Sequence, residues 1–504
     1  MPSSPILPSL ILGLATLAPL AAQQLRGPNE LPAIGGVVPP PNAASLMTLA
    51  EVSRLGFSVQ GAGARSTGMG GAFIAVADDG TAASHNPAGL AQLRLFETSL
   101  VTSSHNPDLD YTGATPVIPG NVSVAGANTY KGSASRKVEF VSFTAPATVG
   151  GRNLVVQVSW QNLFDMDLSM DHSRSIFDPS TPQTTNLKEG IRQKGRISTI
   201  TGSVAYEFSP RILAGVSYNR WSGNWSYTSD YTFSTSLPTT QEGTVRTAST
   251  FDGQNYNLGL LWRSEDVKVG LTYRTPFTAT FAVNGGIYAP NTEPSMATPE
   301  NMRVHWPWTL GAGIAWRLTA PFQVTLDWSR TPWSKTTFEA PGNELDQRNF
   351  FSPFVTLTSI NPRRASAPLP TADATSWHLG GEYLFFWGSR ILPVRVGMFR
   401  EPQPSLDART GEQRSLKGLT FGFGLKQGAL SFDLAFKHAT GERNASIPED
   451  PQTGFAFIGA GSYDDYYSWT GREKVTVNQV KASVIWQFKG EGLRSFFRSL
   501  FIGQ

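Results

Sequence analysis

The chain has 504 residues, no cysteine, a net charge of +3 and a charged fraction of only 16%. The lack of cysteine excludes disulfides and thiolate metal sites, and the small net charge gives no reason to expect a nucleic-acid partner. Low charge together with 30 Phe, 13 Trp and 13 Tyr, at a mildly negative mean hydropathy, argues against a helical membrane protein. This composition favours strands that alternate between lipid and a polar interior.

Residues 1–22 carry the pattern of an export signal. Ile11–Leu20 is an apolar run, and Ala21 and Ala22 supply small residues for cleavage before Gln23. The run is shorter than the ~20 residues that a membrane-crossing helix needs. Because the first five residues contain no Lys or Arg, an apolar N-terminus that is retained is the alternative interpretation.

The next two segments precede the strand-rich part of the chain. Residues 23–60 form a Pro/Gly-rich lead in which Asn42 is suited to cap a short helix near residues 43–55. Residues 61–93 are dense in glycine and lack long apolar runs. Because glycine permits tight backbone packing in a narrow space, such a block ahead of many strands predicts a plug inside a large barrel.

From residue 94 to residue 488 the apolar pattern has a period of two. Thr309–Arg317 and Ser431–Lys437, for example, place apolar side chains on one face and small or charged ones on the other. Trp and Tyr often end the apolar face, which suits a membrane interface and argues against the alternative, a soluble β-sandwich. The sequence therefore predicts an all-β fold, a transmembrane β-barrel of about 14 antiparallel strands with an N-terminal hatch in its lumen.

The strand count follows from a topological argument. Fifteen candidate strands are recognisable in the sequence. A chain whose plug and C-terminus lie on the same side of the membrane must cross it an even number of times. We therefore expect fourteen strands, and the candidate at 276–284 is the one most open to doubt.

The links between the candidate strands alternate in length. Short links at 209–210 and 427–428 alternate with long predicted loops such as 222–250 and 439–472, a pattern typical of outer-membrane barrels. Residues 489–504 follow the last strand and carry apolar side chains at helical spacing. They predict either a periplasmic amphipathic helix at the membrane surface or a frayed tail.

The residue types that carry catalysis form no recognisable set. The six histidines are scattered, with no pair at i, i+3 or i, i+4 spacing. Gly68–Gly71 matches a dinucleotide loop poorly, and Asp78 and Asp79 directly before Gly80 are better explained as turn residues than as a cation site. We expect no catalytic residue, no metal and no cofactor, and an outer-membrane enzyme of lipase type is the weaker alternative.

Arg65 is the one charged residue of the glycine-rich block whose role the sequence suggests. A buried arginine in a plug needs an acidic partner on the barrel wall. Asp327, Glu382 and Asp433 occupy inward-facing positions of predicted strands. We therefore expect Arg65 to pair with one of these acids and to act as a latch for the plug.

Two stretches resemble the FadL/TodX-type outer-membrane transport family. The glycine-rich block resembles the family's hatch, most closely at Asn86–Leu90, and residues 306–335 resemble its paired strands with a Trp-Ser-Lys turn. The strand that ends at Phe488 resembles the aromatic assembly signal of outer-membrane barrels, although sixteen residues follow it. Similar hatch residues also occur in PorV-type barrels, which serve protein secretion and surface attachment.

The resemblance implies a monomeric channel in the bacterial outer membrane for hydrophobic small molecules, either long-chain fatty acids or hydrocarbons. Outer-membrane lipid and the barrel-assembly machinery are its other expected partners. The hatch is expected to shift near Asn86, Pro87 and Ala88 and to open a lateral gap in the wall, although a plain turn explains this motif equally well. A PorV-type barrel is the alternative function. The loop aromatics predicted to capture the ligand are Trp221, Trp225, Tyr227, Tyr231 and Phe233.

Overall fold

The computed structural model describes residues 61–490 apart from several connecting stretches. The predicted signal (1–22), the lead with its short helix (23–60) and the tail from residue 491 lie outside the described residues. The connecting stretches outside them are 114–122, 127–128, 132–134, 179–182, 236–239, 289–294, 297–299, 342–358, 362–363, 369–370, 407–410 and 449–467.

Fourteen antiparallel strands form a closed barrel, as the sequence predicts. They are β1 (Phe96–Gly113), β2 (Ser135–Val149), β3 (Arg152–Asp165), β4 (Gln183–Ser209), β5 (Ile212–Thr235), β6 (Thr240–Arg263), β7 (Val267–Arg274 and Phe277–Tyr288), β8 (Glu300–Trp306 and Thr309–Thr319), β9 (Phe322–Thr331 and Thr337–Pro341), β10 (Ala374–Trp387), β11 (Arg390–Leu406), β12 (Gln413–Gln427), β13 (Leu430–Pro448) and β14 (Ser468–Phe488). Strand β1 pairs with β14 from Phe96 opposite Phe488 to Gly113 opposite Gly471. This pairing closes the sheet, so the barrel has no free edge strand.

The remaining elements are short. They are the helix α1 (Ala64–Gly68), the 3₁₀ turns Ala82–Ser84, Pro87–Gln92 and Trp333–Lys335, and the strand segments Ser123–Gly126, Thr129–Lys131, Leu168–Asp178, Ser295–Met296, Ser359–Asn361 and Arg364–Pro368. Within the described part of the chain, no helix has the length and apolar character needed to cross a membrane.

The two faces of the barrel wall differ in polarity. Outward-facing side chains are large and apolar, and Trp316 on β8 is 55% exposed. Inward-facing positions carry buried polar and charged groups such as Asp327, Glu382 and Arg395. An apolar outer surface around a polar interior is the structure of a transmembrane barrel, because lipid contacts only the outer face.

The doubtful candidate at 276–284 is part of a genuine strand. Phe277–Tyr288 continues β7 and pairs with β6 on one side and β8 on the other. Thr275 and Pro276 separate it from the first part of β7, and proline cannot donate a ladder hydrogen bond. Two of the fifteen candidates are therefore one interrupted strand, which brings the count to fourteen.

The predicted loop at 222–250 is wrong. Strands β5 and β6 pair from Ile212 opposite Trp262 to Ser234 opposite Thr240, and only residues 236–239 lie between them. Strands β4, β5 and β6 contain 27, 24 and 24 residues, whereas about 9–11 tilted residues suffice to cross a bilayer. These strands therefore continue beyond the membrane, where both faces meet water and the apolar alternation is lost.

Residues 61–93, called segment 61–93 below, pack inside the ring of strands. Met69, Phe73 and Leu90 are fully buried, and they form one apolar cluster with inward-facing Leu213 of β5 and Leu261 of β6. The segment contacts strands on all sides of the barrel. Its short turns leave many backbone polar groups without partners of their own, so the barrel wall must supply those partners.

Candidate functional site

Wall glycines let the backbone of segment 61–93 lie directly against the strands. A side chain on Gly313 of β8 would begin 2.9 Å from Ile74 Cβ, and one on Gly397 of β11 would collide with the backbone of Gly70. Gly70 itself has φ +70°, and a side chain there would lie 2.8 Å from the Met398 carbonyl oxygen. Glycine is therefore required on both sides of this contact.

Polar side chains of the wall satisfy the backbone of the segment. Asp327 Oδ2 on β9 accepts hydrogen bonds from the N–H groups of Phe73 (2.6 Å) and Ile74 (2.7 Å). Thr420 Oγ1 on β12 donates to the Gly68 carbonyl at 3.0 Å. Asn153 on β3 donates to two further carbonyl oxygens of the segment and of the chain that follows it. The segment thus depends on the wall for its folded conformation.

Arg65 connects the segment to a chain of buried ion pairs. Its Nε and Nη2 each lie 3.0 Å from a carboxylate oxygen of Glu382 on β10, and its Nη1 lies 2.5 Å from Asp78 Oδ1. Glu382 also accepts from Arg395 Nε at 2.6 Å, and Arg395 Nη1 donates to Asp433 Oδ1 at 2.6 Å. Of the three acids considered for Arg65, the structure places Glu382 in direct contact.

Asp78 and Asp79 have different surroundings. Asp79 Oδ1 accepts from the Thr81 N–H (2.8 Å) and from Thr81 Oγ1 (2.6 Å), which is the geometry of a turn residue. Burial would raise the pKa of the Asp78 carboxyl, but the charges of Arg65 and Lys268 outweigh it and hold the pKa at about 2. Asp78 is therefore an anion at any physiological pH and supports the charge of Arg65.

Asn86 joins the elbow of the segment to the wall. It is fully buried and caps the 3₁₀ turn Pro87–Gln92 by accepting from the Ala88 N–H at 3.1 Å. Its amide donates to the carbonyl oxygens of Ile74 (3.0 Å) and of Leu260 on β6 (3.1 Å). The elbow thus contacts both the body of the segment and the barrel, and Pro87 lies against Gly215 of β5.

Six aromatic side chains meet inside the barrel beside this elbow. They are Phe164, Trp221, Phe251, Phe277, Trp306 and Trp333, and they are called the aromatic cluster below. Ring centroids lie 5.1 Å apart for Trp221 and Phe277, and 5.1 Å apart for Trp306 and Trp333. Aromatic rings at these separations form an apolar surface. It occupies the interior of β3 and β5–β9.

The predicted capture residues lie in a strand rather than in a loop, which corrects the expectation. Trp221, Trp225 and Tyr227 occupy alternate positions of β5, and their side chains are buried. They face inward, so they line the barrel instead of an extracellular patch. The backbones of Tyr231 and Phe233 continue β5 opposite β4. The error arose because the polar residues between these aromatics suggested a solvated loop.

The opposite side of the lumen is lined with ion pairs. Besides the chain that begins at Arg65, Lys481 of β14 pairs with Glu139 of β2 at 2.6 Å, and Lys437 of β13 lies 3.6 Å from Glu401 of β11. The interior is thus divided between an aromatic side on β3–β9 and a charged side on β10–β14 and β2. An apolar molecule is favoured only on the aromatic side, because water and paired charges fill the other.

Three adjacent strands are interrupted next to the aromatic cluster. Pro276 divides β7, Pro307 divides β8, and Pro332 ends the first part of β9. Each proline is the chain neighbour of a cluster residue: Phe277, Trp306 and Trp333 respectively. Proline removes a donor from the ladder. The wall therefore has its fewest inter-strand hydrogen bonds where the aromatic surface lies behind it.

Sequence reasoning identified only part of the aromatic cluster. Trp221 was predicted as a ligand contact, and Trp306 and Trp333 lie in the stretch that carries the family resemblance. Phe164, Phe251 and Phe277 were missed. Since Phe277 and Trp333 each follow a proline in a strand pattern, an aromatic next to proline was the available signal.

The comparisons with known proteins concern the fold. No family model and no curated protein matches the sequence. Among solved structures, a FadL homologue from Pseudomonas aeruginosa superposes with a TM-score of 0.58 at 13% identity, over 86% of this chain and 100% of that chain. The P. putida toluene transporter TodX superposes with a TM-score of 0.52 at 13% identity, over 86% and 100%. The chain is similar to both in fold.

Proposed function

We propose that the chain is a channel of the bacterial outer membrane for the uptake of hydrophobic small molecules, with segment 61–93 as its hatch. The observation that carries this proposal is the aromatic cluster. Five of its six side chains are buried inside a barrel whose interior is otherwise polar. An apolar surface at the junction of the lumen and the hatch matches an apolar ligand, because ligand sites combine apolar walls with a few polar groups.

The inner face of β5 supplies a path to the cluster. Tyr227, Trp225 and Trp221 follow one another from the end of the barrel with longer connections toward segment 61–93. Short turns face the periplasm in barrels of this kind, so the end with longer connections faces outward. A ligand that enters from outside passes these three side chains and reaches the aromatic cluster.

The exit lies at the proline interruption of β7–β9. A ligand on the aromatic cluster is separated from lipid there by a wall with few ladder hydrogen bonds. Segment 61–93 touches the same strands through Ile74, beside Gly313, and Asn86 holds the Ile74 carbonyl at 3.0 Å. A shift of the elbow at Asn86, Pro87 and Ala88 would release this contact and free the route into the membrane.

The solved structures that share the fold support a channel over the alternative. One is a FadL homologue and the other a toluene transporter. A PorV-type barrel for protein secretion needs a surface for exported proteins, and no feature of the described residues favours one. The transport proposal uses the aromatic cluster, the hatch and the interrupted wall together.

Uptake of labelled oleate and labelled toluene tests the proposal. The assay compares a strain that lacks the gene with the same strain carrying the wild-type chain. We expect faster accumulation of at least one compound when the chain is present. Equal accumulation of both compounds in the two strains, together with co-purification of secreted proteins, would overturn transport in favour of the secretion role.

A further inference from the structure

A polar recess lies between segment 61–93 and the aromatic cluster. It encloses about 390 Å³ of empty space, including the part that opens to solvent. Segment residues Ala83 and Ser84 form one side, and inward-facing residues of β3–β7 form the other. Arg274, the last residue of the first part of β7, is the one charged residue among those that line it.

Arg274 is held at the boundary between wall and hatch. Its Nη2 donates to the Ser84 carbonyl at 3.1 Å. Thr275 and Pro276 follow it directly, so the guanidinium lies next to the interruption of the wall. A guanidinium presents several N–H donors in a planar fork that matches a carboxylate.

The other polar groups of the recess form a ladder across three strands. Thr201 Oγ1 of β4 donates to Asn219 Oδ1 at 2.8 Å, and Asn219 Nδ2 of β5 donates to Asn255 Oδ1 of β6 at 3.0 Å. Trp221 Nε1 donates to the same Asn255 oxygen at 2.8 Å. The indole of the aromatic cluster is thereby joined to the polar recess. One side chain belongs to both surfaces.

Asn257 adds an unused amide to the recess. It lies opposite Arg274 in the β6–β7 register, and its Oδ1 is buried without a hydrogen-bond partner within the described part of the chain. A buried polar atom without a partner is uncommon and indicates capacity for a further group. Because an amide can present either its oxygen or its NH2 group, Asn257 can bind an acidic head group beside Arg274.

We propose that this recess binds the carboxylate of an amphiphilic organic acid whose apolar body rests on the aromatic cluster. The inference rests on the proposed transport function and names its substrate class as carboxylates rather than neutral hydrocarbons. Arg274 supplies the charge and Asn257 a hydrogen bond, while Trp221 marks the border between head and body. A neutral hydrocarbon would leave these polar groups without a ligand partner, which costs affinity.

Oleate and oleyl alcohol form a matched pair of probes, because they share the apolar chain and differ in the head group. Uptake of both is measured for the wild type, Arg274→Gln, Arg274→Lys and the control Arg220→Gln. Arg220 is an exposed arginine of the same region of the barrel, and it pairs with Asp252 on the outer face. We expect the wild type to prefer oleate and Arg274→Gln to lose about tenfold or more of that preference.

The variants separate a head-group site from a structural role. Retention of most of the preference in Arg274→Lys, and all of it in Arg220→Gln, supports the inference. Equal losses of oleate and oleyl alcohol uptake in Arg274→Gln would overturn it, since the variant would then act only through the hatch contact at Ser84. Uptake of both probes by the wild type without preference would also overturn it and leave the transport function standing. Uptake of neither would overturn the transport function itself.

Discussion

Arg65 in segment 61–93 and Glu382 in β10 form a bidentate ion pair, in which Arg65 Nε and Nη2 each lie 3.0 Å from a carboxylate oxygen. The two residues are 317 positions apart in the chain. The pair fixes the first helix of the segment to the charged side of the barrel. The aromatic side is left as the surface from which the segment can separate.

Replacing Arg65 by alanine should loosen the hatch. Glu382 would keep Arg395 as a partner, while Asp78 would lose its closest cation. Removing one partner of a buried pair leaves an uncompensated charge and costs about 3–5 kcal/mol. We expect Arg65→Ala to raise the single-channel conductance in planar bilayers and the frequency of open events.

Lysine at the same position provides the control for Arg65→Ala. Arg65→Lys keeps the charge but loses the bidentate geometry, so its conductance should lie between wild type and Arg65→Ala. If Arg65→Ala leaves both conductance and uptake at wild-type values, Arg65 is not a latch.

His85 should make the hatch sensitive to acid. Burial lowers the pKa of this imidazole from its ordinary 6.5 to about 3, with Arg274 and Lys481 acting in the same direction and the hydrogen bond to the Ala62 carbonyl opposing them. A depressed pKa means that neutral His85 stabilises the packed state above pH 6.5, and that this contribution is lost as the pH falls toward 3.

Hydrogen exchange of amides in segment 61–93 measures that effect. Exchange, corrected for its intrinsic pH dependence, should become faster relative to the wall strands between pH 6.5 and pH 3. His85→Gln keeps a donor for the Ala62 carbonyl and cannot titrate, so its protection should vary less over this range. The same pH profile in wild type and His85→Gln would assign the effect to another group.

The glycine contacts should set how closely the hatch fits. In Gly397→Ala the new methyl group would collide with the backbone of Gly70, and forced overpacking costs about 1–3 kcal/mol. We expect a displaced segment and a higher basal conductance. Gly381→Ala on β10 is the matched control, because a side chain there meets its nearest neighbour at 3.7 Å. Equal conductance of the two variants would contradict this account.

Local sequence pattern predicted the barrel but not its full height. The period of two identifies a strand only where one face meets lipid and the other meets the lumen, as in Thr309–Thr319. Beyond the membrane both faces are polar, so the continuation of β5 to Thr235 looked like a loop. Pro276 had a similar effect, because it divided one strand into two candidates.

The site was less predictable than the fold, because its residues meet through long-range packing. The sequence narrowed the partner of Arg65 to three acids, yet only the register of segment against wall distinguishes them. Asp327 instead binds two backbone N–H groups, and Asp433 binds Arg395. The aromatic cluster likewise joins strands β3 to β9, so no local motif could reveal it.

Restoring backbone donors at the wall interruption should hinder exit of the ligand. Pro276→Thr/Pro307→Thr supplies two N–H groups and β-branched side chains that favour strand pairing. We expect lower oleate uptake with unchanged heat-modifiable migration of the folded barrel. Pro210→Thr, in the turn between β4 and β5, is the control. Unchanged uptake in the double variant would place the exit elsewhere.

Movement of the hatch during transport is the central claim, and a reversible cross-link tests it most directly. The chain contains no cysteine, and a side chain on Gly313 would begin 2.9 Å from Ile74 Cβ, somewhat below the roughly 3.5–4.5 Å Cβ separation of a disulfide. A small shift would therefore allow Ile74→Cys/Gly313→Cys to form one.

Uptake of labelled oleate is measured in this double variant before and after reduction, with both single variants as controls. We predict that the oxidised protein falls to the level of the strain that lacks the gene and that a reductant restores uptake. Uptake at the wild-type rate while the disulfide is intact, as verified by peptide mapping, would contradict a hatch that must move.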